Sequence, residues 1–218
     1  MPARLLLLNL AACLWCFAVL KLRFHIAGNH NYAFMLWNLF LAAIPLALSL
    51  GLPRVRRLPN ALPLLAVWLL FLPNAPYVLT DLIHLTPHHR GQVPLWLDLL
   101  MLLSFALVAL WFGFQSLQIV QRWFALRYSN VMSWIVSLGS LGLSGFGVYL
   151  GRFERWNSWD IVRRPGSLLG DIASRFLDPL AHSQTWGFTL GFGMLLILAY
   201  LLWISTATAA HDRRSLGA

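Results

Sequence analysis

The sequence predicts an all-α protein, a polytopic bundle of about six transmembrane helices. Three observations carry that prediction. The 218 residues are 59% hydrophobic and 11% charged, whereas a soluble domain is about one quarter charged. The apolar residues gather into runs of about twenty, the length a helix needs to cross a bilayer. Eleven tryptophans accompany them, and Trp favours membrane interfaces.

The spans fall at residues 5–22, 32–50, 61–82, 95–120, 131–151 and 185–205, read as one integral membrane domain over 1–218. The first holds Cys13 and Cys16 in "LAACLWCF". A haem attachment site would need His at position 17, where Phe17 stands. "LAAC" resembles a lipoprotein processing box, but the apolar run continues to Leu20, as in an anchor. A redox pair is the third reading, and small residues packing in a helix the plainest.

The third span holds "FLPNAPYVLTDLIH", residues 71–84. Pro73 and Pro76 disfavour a continuous helix. Asn74 suits an N-cap and Pro76 the first turn, so the span is expected to break there and restart. On a helix Asn74, Tyr77, Asp81 and His84 share one face. Acids inside a span are costly and tend to be functional. Asp98, early in the fourth span, is expected at the depth of Asp81. His25, His30, His88 and His89 join His84 in the loops on that side, but no HxxxH or HExxH spacing lies on a continuous helix, so no metal site is assigned.

Orientation follows from the basic residues, all arginine but Lys21. Eight lie on one side: Arg4, Arg54, Arg56, Arg57, Arg122, Arg127, Arg213 and Arg214. Eight lie on the other, five of them in the long fifth loop among Glu154, Asp160, Asp171 and Asp178. The short loops are the stronger evidence, and they place both termini in the cytoplasm. The net charge of +9 then reflects topology and contact with anionic headgroups rather than nucleic acid. The opening of the fifth loop, "GRFERWNSWDIVRRPG" (151–166), is expected to continue the fifth helix, with Arg152 on Trp156, Arg155 on Trp159 and Asn157 bonded to Asp160. Further on, Leu168, Leu169, Ile172, Phe176 and Leu180 form one face of an amphipathic helix lying in the membrane interface. Small-residue pairs, Gly147 with Gly151, Ser140 with Ser144 and Gly187 with Gly191, suit close helix approach.

"LFLPNAPYVLTDLIHL" and "GVYLGRFERWNSWDI" resemble the signature segments of an uncharacterised bacterial membrane family, domain of unknown function 1361, over about residues 35–205. The resemblance implies a multi-spanning inner-membrane protein and no particular chemistry.

The residues themselves suggest an enzyme on the outer face. Asp81 and His84 would be its acid–base pair. Asn74, Tyr77, Arg152, Glu154, Arg155, Asn157 and Asp160 would bind an anionic or lipid-linked substrate. Membrane lipids are the expected partners, and no cofactor is indicated. A transporter using the broken third helix, with Gln115, Gln118 and Gln121 as its polar path, is one rival. A non-catalytic assembly factor is another. "GLSG" (142–145) with His182 faintly resembles a rhomboid serine protease, but Ser144 sits toward a helix C-terminus, where the dipole opposes an oxyanion.

Overall fold

A computed structural model describes residues 2–85 and 93–216, with side chains through residue 206. His88, His89 and Arg90 lie outside the described residues. The chain is all-α, and among the described residues six helical stretches are long and apolar enough to cross a membrane: Ala3–Ala27, Phe34–Arg54, Leu58–His84, Leu95–Arg127, Asn130–Arg152 and Ser183–Thr206. Each overlaps a predicted span, the largest difference being the end of the fourth, predicted at 120 and found at Arg127. The first and last are only 22% buried. Their exposed Leu7, Leu14, Leu190 and Leu202 suit a lipid solvent, in which an apolar surface needs no protein cover.

Residues 1–134 and 135–218 form two compact units. The first contains α1 (Ala3–Ala27), α2 (Phe34–Ser49), α3 (Leu58–Phe71), α4 (Asn74–Tyr77), a 3-10 helix (Val78–His84) and α5 (Leu95–Arg127). Its core gathers Leu20, Met35, Ala42, Val78, Met101, Leu102 and Phe105 around α5. Cys16 is buried in that core and Cys13 packs against it; both are free thiols. α5 has 33 residues, about 50 Å at 1.5 Å per residue. That exceeds the roughly 30 Å hydrocarbon core, so part of α5 stands outside it.

The third span is interrupted as its prolines predict, but in a different way. Leu72, Pro73, Tyr77 and Val78 all keep right-handed helical dihedrals, so the chain tightens rather than opens. Asn74 is no N-cap. Its side-chain Nδ2 donates back to the Phe71 carbonyl at 2.9 Å. The Ala75 N–H bonds Leu72 O instead of Phe71 O, so the amide of Asn74 fills the place that Ala75 leaves. Gly113 of α5 makes room for this segment, since a Cβ there would lie 2.8 Å from Ala75 Cβ.

The second unit holds most of α6 (Asn130–Arg152), then α7 (Asp160–Arg163), α8 (Pro165–Leu177) and α9 (Ser183–Leu216). α6 and α9 approach closely at Gly145 and Gly193. A Cβ on Gly145 would lie 2.7 Å from Thr189 O, and one on Gly193 3.3 Å from Gly142 Cα. Gly187 and Gly191 face open space. Leu168 of α8 is buried with Tyr149 and Leu150, with Ile172 against them. Leu169, Phe176 and Leu180 are exposed, an apolar surface suited to an interfacial helix.

Candidate functional site

The tightened third span determines where its acid and imidazole fall. In a 3-10 helix residues three apart eclipse, so Val78, Asp81 and His84 form one row. Val78 and Asp81 are buried and His84 emerges at the rim. The Asp81 side chain is 1% exposed and that of His84 45%. Their nearest atoms, Oδ1 and Nε2, stand 4.0 Å apart, longer than a hydrogen bond. The other carboxylate oxygen, Oδ2, accepts from Nδ2 of Asn38 at 2.8 Å, which anchors Asp81 from α2.

The imidazole has its own supports. The backbone carbonyl of His84 accepts the Tyr32 hydroxyl at 3.1 Å. The Phe34 ring meets the imidazole edge to face, with centroids 5.4 Å apart. Tyr32 in turn lies under the Arg23 guanidinium, 4.5 Å from the charge centre. Arg23 is buried, and its Nε donates to Asp98 Oδ1 at 3.1 Å. Its Nη1 donates to Asn29 Oδ1 at 2.6 Å. A chain of contacts thus runs Asp98–Arg23–Tyr32–His84–Asp81–Asn38 and draws on α1, α2, α5 and the 3-10 helix.

Half of that chain was hidden in the sequence. Arg23 counts as a loop charge there, yet it lies inside α1 and is neutralised by Asp98. Asn38 carried a faint signal, a lone amide in the apolar run "MLWNLF" that burial obliges to find a partner. Tyr77 is half-buried, and its carbonyl accepts the Thr80 hydroxyl at 2.6 Å. Asn74 serves the backbone as described.

The second cluster belongs to the other unit. The run 151–166 is not a continuation of α6. The helix stops at Arg152, and Arg155 adopts a left-handed φ of 60°, a conformation sparsely populated outside glycine. The Trp156 N–H then closes back on Leu150 O at 3.0 Å. The Arg164 guanidinium lies over the Trp156 ring, at 4.8 Å. Asn157 and Asp160 do meet: Asp160 Oδ2 accepts the Asn157 backbone N–H at 2.8 Å, and Arg164 stands 3.5 Å from Oδ1.

Arg175 of α8, which the motif did not include, is the hub of this unit. It is buried, ion-paired to Glu154 at 2.7 Å and to Asp171 at 3.2 Å. Asp171 also accepts the Trp156 indole N–H at 2.6 Å. The acids Glu154 and Asp160 are therefore engaged in holding the turn, while Arg155 is exposed. The hydrogen bond from the Asn157 N–H holds the Asp160 carboxyl below the usual range; burial opposes it, and the Asn157 side chain and Arg164 reinforce it. For Asp171 the Trp156 indole is the main cause, opposed by burial and aided by Arg175. Ser144 Oγ is buried and donates to Ser140 O at 2.8 Å.

A family model described as "Protein of unknown function (DUF1361)" matches residues 37–199, well over half of the chain. No curated protein and no solved structure matches it.

Proposed function

We propose a function for a chain that belongs to the DUF1361 family: a multi-pass protein of the bacterial inner membrane, both termini cytoplasmic, with an acid–base centre on the extracytoplasmic side that acts on an anionic or lipid-linked substrate. One observation carries the reading, the half-exposed His84 imidazole backed by a buried Asp81 carboxylate that Asn38 fixes from behind. A base needs an exposed nitrogen and a group that orients it. With Nε2 turned toward Asp81, Nδ1 is left to take a proton from a hydroxyl or water at the membrane surface. Asp81 would steady the imidazolium that forms. The 4.0 Å separation closes with a small ring movement, as apo catalytic contacts commonly do.

Orientation rests on the short loops, whose arginines favour cytoplasmic termini. Exposed Arg155, held in a strained backbone, suits an anion contact, because such strain collects at functional sites. The transporter reading gains less. Gln115, the deepest member of its polar path, is closed in a reciprocal amide pair with Asn9 at 3.2 and 3.0 Å.

The test is complementation of a strain lacking the gene. His84→Ala and Asp81→Asn should insert normally and lose about 100-fold or more of the activity that the deletion removes, the scale of general acid–base catalysis. Full function in His84→Ala would sink the acid–base reading. Thr86→Cys and Ser158→Cys, with Cys13 and Cys16 replaced by Ala, should label from outside the cell; labelling from the cytoplasm alone overturns the orientation.

A further inference from the structure

We infer that the first unit carries a second site at the opposite end of α5, a cleft that binds a phosphate-bearing ligand through Arg122, Arg54 and Arg127. The cleft has a volume of about 1080 Å³, the scale of a ligand cavity. Among the described residues three arginines line it and no acid does. The two acids of this unit, Asp81 and Asp98, sit at the far end of α5. From Asp98 to Arg122 the helix runs 24 residues, about 36 Å at 1.5 Å per residue, several Debye lengths at physiological salt. The unit therefore places three positive charges around one cavity with no counter-charge of its own near them.

The walls are fixed. The Trp123 indole donates to Val55 O at 3.0 Å, and Arg127 Nη2 reaches Pro53 O at 3.5 Å while its guanidinium lies over the Trp123 ring. These contacts tie the loop after α2 to the last turns of α5. Arg54 Nη1 donates to Leu50 O at 3.1 Å, leaving most of its fork for another acceptor. Arg122 is exposed and Gln118 stands one turn before it on the same α5 face. Two guanidinium forks and a side-chain amide converging on a cavity match the acceptor-rich, doubly bonding geometry of phosphate. Leu5, Leu50 and Ile119 complete the lining with apolar surface, which an acyl chain would cover.

Depth agrees with this chemistry. If the hydrocarbon core starts near Leu95, its thickness of about 30 Å ends some twenty residues later, near Gln115. Gln118, Arg122 and Arg127 then lie at headgroup level. The ligand is either the headgroup of an anionic lipid or a free phosphate ester, and the site stands independently of the Asp81–His84 reading.

The experiment titrates the full chain in a neutral detergent with dioctanoyl phosphatidylglycerol, following the fluorescence of Trp123 and its neighbours and confirming occupancy by native mass spectrometry. Binding should saturate at one lipid, and dioctanoyl phosphatidylcholine should bind at least tenfold more weakly. Arg122→Gln should weaken binding about tenfold, the scale of one charge-assisted contact. Arg122→Lys should recover much of it, and Lys21→Gln on α1 should change nothing. Competition by glycerol 1-phosphate at comparable concentration assigns the site to a free ester; its failure to compete assigns it to a lipid headgroup. Arg122→Gln is solvent-exposed and should melt like the parent; Arg54→Gln provides a second charge deletion with the same expectation. Equal binding of the two lipids, or no loss in either arginine variant, overturns the proposal.

Discussion

Removal of the Asp98 carboxylate should strongly destabilise the first unit. Arg23 is 1% exposed and the Asp98 side chain 6%, so neither charge has water to fall back on. With charge centres about 4 Å apart and an effective dielectric near 20, their attraction is about 4 kcal/mol. Asp98→Asn keeps the shape and leaves the guanidinium with Asn29 Oδ1 and the Tyr32 ring, neither of which carries a negative charge. Deleting one partner of a buried pair costs about 3–5 kcal/mol, because the other is stranded. Asp98→Asn should lie at the lower end of that range. Unfolding by SDS in mixed micelles, followed by tryptophan fluorescence, measures it. The double variant Arg23→Leu/Asp98→Leu should recover to within about 1 kcal/mol of the parent, since an apolar pair of similar volume carries no desolvation cost. An Asp98→Asn variant within 1 kcal/mol of the parent refutes the buried pair.

Two further outcomes follow from local geometry. Gly113→Ala should cost about 1–3 kcal/mol in the same assay through overpacking against Ala75, and Ala75→Gly in the same chain should relieve most of it. Acid should loosen the segment 153–182. Asp160 and Asp171 both have folded-state pKa values below their ordinary one, so their contribution is complete above about pH 4, the unfolded value, and is lost as pH falls through the lowered folded values. The near-ultraviolet circular dichroism of Trp156 and Trp159 and the onset of proteolysis in this segment report it, and Asp171→Asn should weaken the segment at neutral pH while reducing its acid response.

Much of this architecture can be read from the sequence because it rests on run length. A span of twenty apolar residues has few alternatives to a helix when water is absent. Asp81 and His84 were legible as a pair because a spacing of three places residues on one side of an α-helix and eclipses them on a 3-10 helix. Arg23 was not legible as a buried partner. It follows Lys21 near the end of an apolar run, and only tertiary contact distinguishes the exposed lysine from the buried arginine. The end of α6 was likewise hidden. Helices that stop in a left-handed turn usually announce it with glycine or asparagine; here Arg155 occupies that conformation, and the closing contacts pair Glu154 with Arg175 and Trp156 with Asp171, partners far apart in sequence.

The two prolines of the third span explain why an acid survives inside it. Pro73 and Pro76 lack N–H groups, so the α-helical ladder loses donors at both positions. The chain responds with the shorter bond Ala75 N–H to Leu72 O and with the Asn74 amide on Phe71 O. After that tightening it runs on as a seven-residue 3-10 helix. Had the α-helix continued, Asp81 and His84 would stand about 60° apart around the axis, from a turn of 100° per residue. The 3-10 form brings them into line and advances about 6 Å between them. The buried end of that row meets Asn38 and the outer end reaches the surface. The Asp81 carboxylate thereby has an amide donor on one oxygen and an exposed imidazole beside the other. Replacing both prolines with alanine should therefore affect the Asp81–His84 centre more than it affects insertion, because the helix would regain its donors while the alignment of the pair would be lost.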